Sequence, residues 1–285
     1  MRARDQAAAA PRLRRSLIPL KDNLPTSRFP ILTVVLIAIN IGVFIWQTQF
    51  PVDPETFGRG AASIDASAVE YGAIPQRITH PSESECAVSQ SATQGGEIVC
   101  GGDVQSGDTP LDQAPWWVTV FTSMFMHGGI LHIAGNMLFL WIFGNNIEDS
   151  MGRVRFLLFY LLAGIAAVYA QSLLDTGATV PTIGASGAVA GVLGAYALLH
   201  PRARVLTLIF IIFFVTLIEI PAMVLLGLWF LLQFLPAVGQ TAISDVGEGG
   251  GIAYFAHVGG FIFGLLTIKL FADRHRRRET PYFTG

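Results

Sequence analysis

Ser186, His257, His132 and Asn136 are the side chains whose types suit chemistry, and all four interrupt apolar stretches. Ser186 lies in Gly184-Ala185-Ser186-Gly187, which opens an apolar run, Ala188 to Leu199, that ends at His200-Pro201. Flanking glycines let other backbone, or a substrate chain, approach closely. A helix start adds unpaired N–H groups and a partial positive charge. Taken alone, the motif is better read as a small-residue packing site with the serine as N-cap. A lone His or Asn in an apolar helix is, in the same way, most often a helix–helix hydrogen bond. The combination points to acyl transfer. Ser186 would be the nucleophile, and His257 the base that takes its proton and returns it to a leaving amine. His132 and Asn136 are four apart and share a helix face. With the Ser186 backbone N–H they can donate to a developing oxyanion, and losing one such donor typically costs ~10²–10³ in rate. No acid is placed to orient His257, so the pair reads as a Ser–His dyad. A soluble hydrolase elbow needs glycine two residues after the serine; Ala188 stands there and no strand precedes, which excludes that fold.

Placing these residues requires a membrane. Of the 285 residues, 52% are hydrophobic and 13% charged, with mean hydropathy +0.53. Soluble domains carry about 25% charged residues. The apolar residues fall into runs at about 29–47, 130–147, 156–174, 186–199, 221–238 and 252–271. The expectation is an all-α polytopic membrane protein, a bundle of six transmembrane helices. The fourth run is short: fourteen residues at 1.5 Å cover only ~21 Å. The chain before Ser186 must therefore dip below the surface, where irregular backbone needs protein or a watery cavity around it.

Charge sorting sets the topology. Residues 1–28 form a basic tail, read as cytoplasmic in preference to a transit peptide, and 274–285 form a second one. The 48–128 loop holds only Arg59 and Arg77 against ten acids. Six spans put both tails, Arg153/Arg155 and Arg202/Arg204 on the cytoplasmic side, and the acidic loop, Asp175 and Asp245/Glu248 outside, as the positive-inside rule requires. The 205–218 stretch then lies in the inner interface, with Glu219 an edge charge and not a catalytic acid. The Arg274–Arg278 run reads as a stop-transfer signal and anionic-lipid contact, not as a nucleic-acid site. The 84–109 portion is rich in Ser, Gly and Gln and is expected to be flexible. It holds both cysteines, Cys86 and Cys100, which are either bridged, if the loop faces an oxidising compartment, or free. In this topology the second, fourth and sixth spans all run inward from outside, and Ser186, His257, His132 and Asn136 reach one depth. Gly260 and Gly264, and Gly187, Gly191 and Gly194, supply small faces for close packing.

The chain resembles the rhomboid family of intramembrane serine proteases. The matching residues are His127-Gly-Gly-Ile-Leu-His132-Ile-Ala-Gly-Asn136, Phe143-Gly-Asn-Asn-Ile-Glu-Asp149, Gly184-Ala-Ser186-Gly187 and Ala256-His257-Val-Gly-Gly260-Phe-Ile-Phe-Gly264. The resemblance covers about 115–272 well and the first span loosely. It implies a six-helix protease domain over 29–273, with Ser186 and His257 as catalytic dyad and His132, Asn136 and Ser186 serving the oxyanion. It implies a structural role for His127. Some relatives place Tyr four residues after the serine, where it packs on the catalytic histidine. Ala190 stands there, which leaves the support of His257 open. His80, His200 and His275 match no motif and are read as surface or interface residues.

The expected function is a serine endopeptidase that cleaves transmembrane protein substrates near the extracytoplasmic face. It needs no cofactor or metal and resides in a bacterial plasma membrane with both termini cytoplasmic. The expected partners are those substrates and membrane lipids, not nucleic acid. The alternative is a non-catalytic binder or chaperone of membrane helices. A transporter using His132, Asn136 and His257 as a polar relay is disfavoured, because no acid lies deep in a span. The fifth span and the glycine-rich loop at about 239–251 are candidates for a gate.

Overall fold

The computed structural model describes residues 17–53, 56, 63–90, 97–211, 214–242 and 252–273. The Arg-rich ends of both tails and the Gly247–Gly251 stretch lie outside the described residues. In chain order, β1 (Leu17–Asp22) leads to α1 (Ile31–Gln47). The long loop folds as α2 (Ser63–Tyr71), α3 (Pro75–Thr79), a small sheet of β2 (Cys86–Val88), β3 (Ile98–Cys100) and β4 (Thr109–Pro110), and α4 (Trp116–Thr122). Helix α5 (Ile130–Phe139) passes through a π-helical segment, Leu140–Gly144, straight into α6 (Asn145–Met151). Then come α7 (Arg153–Leu174), α8 (Ser186–Leu199), the hairpin β5 (Arg204–Ile211) and β6 (Phe214–Pro221), α9 (Ala222–Ala242) and α10 (Tyr254–Phe271). Among the described residues, four helical stretches are long and apolar enough to cross a membrane: 130–151, 153–174, 222–239 and 254–271. Two shorter apolar helices, α1 and α8, accompany them.

Helix α8 is the axis of the bundle. From Gly187 to Ala197 every residue is buried. It packs on α7 through one face and on α10 through another. Glycine makes this possible. A Cβ on Gly260 or Gly264 would strike the carbonyl oxygen of Gly187 or Gly191, and a Cβ on Gly194 would strike that of Phe261. On the other face, Gly187 and Gly191 sit against the Cβ atoms of Ala167 and Ala163 of α7.

The all-α expectation needs correction at both ends of the bundle. At one end, β1, β5 and β6 form an antiparallel sheet in that order, with Leu17 opposite Ile209 and Asp22 opposite Val205. The segment assigned to the inner interface is thus a hairpin, and the tail assigned to 1–28 contributes its edge strand. Val205, Thr207 and Ile209 are β-branched, a type that packs well on a pleated surface. The run had no period-2 alternation to reveal a strand. Glu219 pairs with Arg204 at 3.6 Å, both side chains more than half exposed, a contact of small energetic weight. Asp22 is buried beneath the sheet, where its Oδ2 accepts from the Tyr196 hydroxyl and from Asn146 Nδ2, each at 2.6 Å. Burial pushes its carboxyl above the ordinary value, although the Tyr196 hydrogen bond opposes the shift. At the same end, the Glu148 carboxylate accepts the backbone N–H groups of Leu32 (3.1 Å) and Thr33 (2.8 Å), and so satisfies the start of α1.

At the other end the loop expected to be flexible is braced. Cys86 and Cys100 form a disulfide across the paired strands β2 and β3. Buried Arg77 ties α3 to the carbonyls of Ser84 (2.7 Å) and Ala114 (3.0 Å). Gln47, fully buried at the end of α1, donates to Ser67 Oγ (3.2 Å) and accepts the His127 backbone N–H (2.8 Å).

Two stability outcomes follow. Reduction, or Cys86→Ser, is expected to lower the stability of the loop by roughly 2–3 kcal/mol, as for loops of this length, read as a lower midpoint in thermal unfolding with and without reductant. Asp22→Ala strands two buried donors at about 1–3 kcal/mol each. Asp22→Asn keeps an acceptor and is expected to recover most of the loss in the same assay.

Candidate active site

The chain reaches Ser186 along a pinned path. Residues 175–185 lie under the long loop: Gln76 N–H donates to the Ala178 carbonyl at 3.1 Å, and Ala73 and Thr182 exchange backbone bonds of 3.1 and 2.8 Å. Gly184 N–H then donates to the Ser123 carbonyl at 2.9 Å. Gly184 has φ +131°, a region that favours glycine, and a Cβ there would stand 2.8 Å from His132 Nε2. The segment before α8 is thus irregular backbone satisfied by hydrogen bonds to other protein segments. Ser186 is the first helical residue of α8 and Ala185 the N-cap, so the serine is not a capping residue. Its hydroxyl is left for another partner.

That partner is His257, in the first turn of α10. His257 Nε2 lies 2.8 Å from Ser186 Oγ. Its other ring nitrogen, Nδ1, lies 2.7 Å from Gln233 Oε1 of α9. An amide oxygen can only accept, so Nδ1 carries the proton and Nε2 presents its lone pair to the serine O–H. The indole of Trp229, also on α9, lies beside the imidazole with ring centroids 5.9 Å apart. Ala190 meets α10 at Gly260, and the ring contact to His257 comes from α9 instead. Gln171 of α7 accepts the Ala256 N–H at 3.3 Å, which braces the start of α10.

His132 reaches the same region. His132 Nδ1 accepts the Gly128 N–H at 3.3 Å, which leaves the proton on Nε2, the atom nearest Gly184. His132 therefore offers a donor beside Ser186. Asn136 is buried, and its Nδ2 has no partner among the described residues. An orphaned buried amide is costly, and this one stands one turn from His132 on the same helix. Of the four residues singled out in the sequence, Ser186, His257 and His132 thus come together, and Asn136 lies one turn along α5 from His132. His127 is buried with its ring edge-on to His132, centroids 5.2 Å apart, which agrees with a structural role. His80 lies on the surface beside Thr79 Oγ1, and His200 follows the end of α8 against Tyr196. His275 lies outside the described residues. Gln233, Trp229 and Gln171 were not anticipated. Gln233 carried one usable signal: it is the sole amide between Ala222 and Val238, and an unpaired amide in an apolar helix is unfavourable.

A mostly helical bundle with membrane-length apolar helices and a hydrogen-bonded serine and histidine at one end defines a class, that of polytopic helical membrane proteins. Within it, the chain belongs to the rhomboid family: residues 114–274, more than half of its length, match the Rhomboid domain. It is similar to the mitochondrial Rhomboid protein 1 of Saccharomyces cerevisiae, 31% identical over 57% of this chain and 45% of that one. It is also similar to the rhomboid protease GluP of Bacillus subtilis, 42% identical over 30% of this chain and 16% of GluP. The human mitochondrial presenilin-associated rhomboid-like protein is 31% identical over 50% of this chain and 35% of its own. Each alignment spans less than half of the relative's length.

The α8–α10 contact sets the distance between Ser186 and His257, so widening it far from both residues should impair the pair. Gly264→Ala is expected to slow labelling of Ser186 by a fluorophosphonate about 10²-fold, the usual cost of a ~1 Å misplacement. Competition gel labelling of inserted protein measures this.

Proposed function

We propose that the chain is an intramembrane serine endopeptidase that cleaves transmembrane protein substrates near the face of the membrane that carries the long loop. One observation carries the reading: Ser186 Oγ lies 2.8 Å from a His257 nitrogen whose ring is already oriented through its other nitrogen. In the reaction, the Ser186 oxygen bonds to the scissile carbonyl carbon as its proton passes to His257 Nε2. The carbonyl oxygen becomes an oxyanion, held by His132 Nε2–H, Asn136 Nδ2–H and the Ser186 backbone N–H. The C–N bond then breaks, and the departing amine takes the proton from His257. Water adds to the acyl-serine by the same route in reverse, its proton passing to His257 and then to Ser186 Oγ as the acid is released.

Counting the two shorter apolar helices with the four of membrane length would give six crossings and place both basic tails on one side. The Cys86–Cys100 disulfide fits an oxidising compartment for the long loop. The sheet end, with Arg153, Arg155, Arg202 and Arg204, fits the cytoplasmic side or its equivalent. The relatives include mitochondrial and bacterial proteins, so they do not single out a bacterial plasma membrane.

Ser186→Ala and His257→Ala are each expected to abolish cleavage of a model transmembrane substrate without loss of membrane insertion. Undiminished cleavage by Ser186→Ala would sink the mechanism. A non-catalytic binder, which no observation favours, is separated by fluorophosphonate labelling: the wild type should label at Ser186 and a binder should not.

A further inference from the structure

Resting on the dyad reading above, we infer that Gln233 is a positioning residue, the third member of a Ser186–His257–Gln233 relay in which a neutral amide takes the place a carboxylate holds in soluble serine hydrolases. Three observations carry this. First, the hydrogen bond to His257 Nδ1 is 2.7 Å, as short as the one from Nε2 to Ser186. Second, the sequence neighbours of Gln233 on α9 (Leu231, Leu232, Phe234 and Leu235) are exposed apolar side chains, whereas Gln233 is half-buried and turned to His257. Third, Ala190, one turn after Ser186 on α8, offers no polar group and lies against Gly260, so the polar contact at His257 Nδ1 comes from α9.

The chemistry explains why an amide suffices. The relay needs an acceptor at Nδ1, because an imidazole with its proton on Nε2 would present a donor to Ser186 and could not take the serine proton. An amide oxygen supplies that acceptor without placing a full charge in an apolar helix, where an ionised carboxylate is costly. The amide's partial negative charge also favours the imidazolium formed as Ser186 attacks, though less than a carboxylate would.

The competing role is packing: an amide that only satisfies a helix–helix hydrogen bond. The two roles make opposite demands on substitution. Gln233→Leu has similar volume and suits an apolar helix, but offers no acceptor. Gln233→Glu keeps the acceptor but is unwelcome there. Wild type, Q233L, Q233E and S186A in lipid should be compared for fluorophosphonate labelling rate, for kcat and KM on a model transmembrane substrate, and for thermal midpoint. Positioning demands that Q233L lose about tenfold in labelling rate and kcat, the worth of one oriented hydrogen bond. KM should stay within about twofold, and the thermal midpoint should not fall. Q233E should label faster than Q233L even with a lower midpoint. Wild-type labelling by Q233L, or a folded Q233E no faster than Q233L, would overturn the inference while leaving the dyad intact. Wild type labelling no faster than S186A would instead overturn the dyad itself, and this inference with it.

Discussion

Backbone meets backbone where α8 passes α10, and the rest of the site depends on that approach. Gly187 and Gly191 of one helix lie under Gly260 and Gly264 of the other with no room for a Cβ. Lipid tails are as apolar as leucine, so burial alone gives helices in a membrane little reason to associate. Close van der Waals contact over small residues does. The contact converts two residues 71 positions apart in sequence into a hydrogen-bonded pair. Alanines of α7 close the opposite face of α8, so Ser186 rides on a helix held from two sides.

The protein applies different physics at its two ends. Around Ser186, irregular backbone is satisfied strand-like, by Ala73–Thr182 and Gly184–Ser123 bonds to the long loop. The disulfide and Arg77 brace that loop in turn. At the other end, acids do the joining: Asp22 to Tyr196 and Asn146, Glu148 to the start of α1, and Asp149 to Ser27. The carboxylates at that end accept from nearby donors, and that of Glu148 sits at a helix N-terminus, where negative charge is favoured. The motif residues Glu148 and Asp149 thereby have structural work far from the serine.

Much of the bundle was legible because helical apolar runs are strong signals. The span around Ser186 was read to its observed bounds, 186–199, since glycine, serine and proline punctuate it. The four polar residues of the site stood out by being polar in apolar surroundings. The hairpin at 204–221 was hidden because a continuous apolar run does not distinguish strand from buried helix, although its β-branched residues were visible. The strand at Leu17–Asp22 was hidden because its partner is some 190 positions away, and no local pattern announces such pairing. Gln233 was missed for a different reason: a single glutamine in a span says that it needs a partner but not which one.

Helix α9 is built as a cantilever. Its foot continues directly from β6 into a sheet that also includes β1, and there it is clamped. Above the foot it leans on α10 and, to a lesser degree, on α8, with many of its side chains turned outward. Gln233 stands eleven residues up, roughly 16 Å at 1.5 Å per residue. At that radius a tilt of about 5° carries the amide some 1.4 Å, enough to stretch a bond of 2.7 Å past hydrogen-bonding range. The backbones that carry Ser186 and His257, packed together where α8 meets α10, would not move with it, and only the imidazole ring would lose its support. The lean of one helix is thus written into the orientation of the imidazole, and the sheet at the far end of the molecule is the fulcrum.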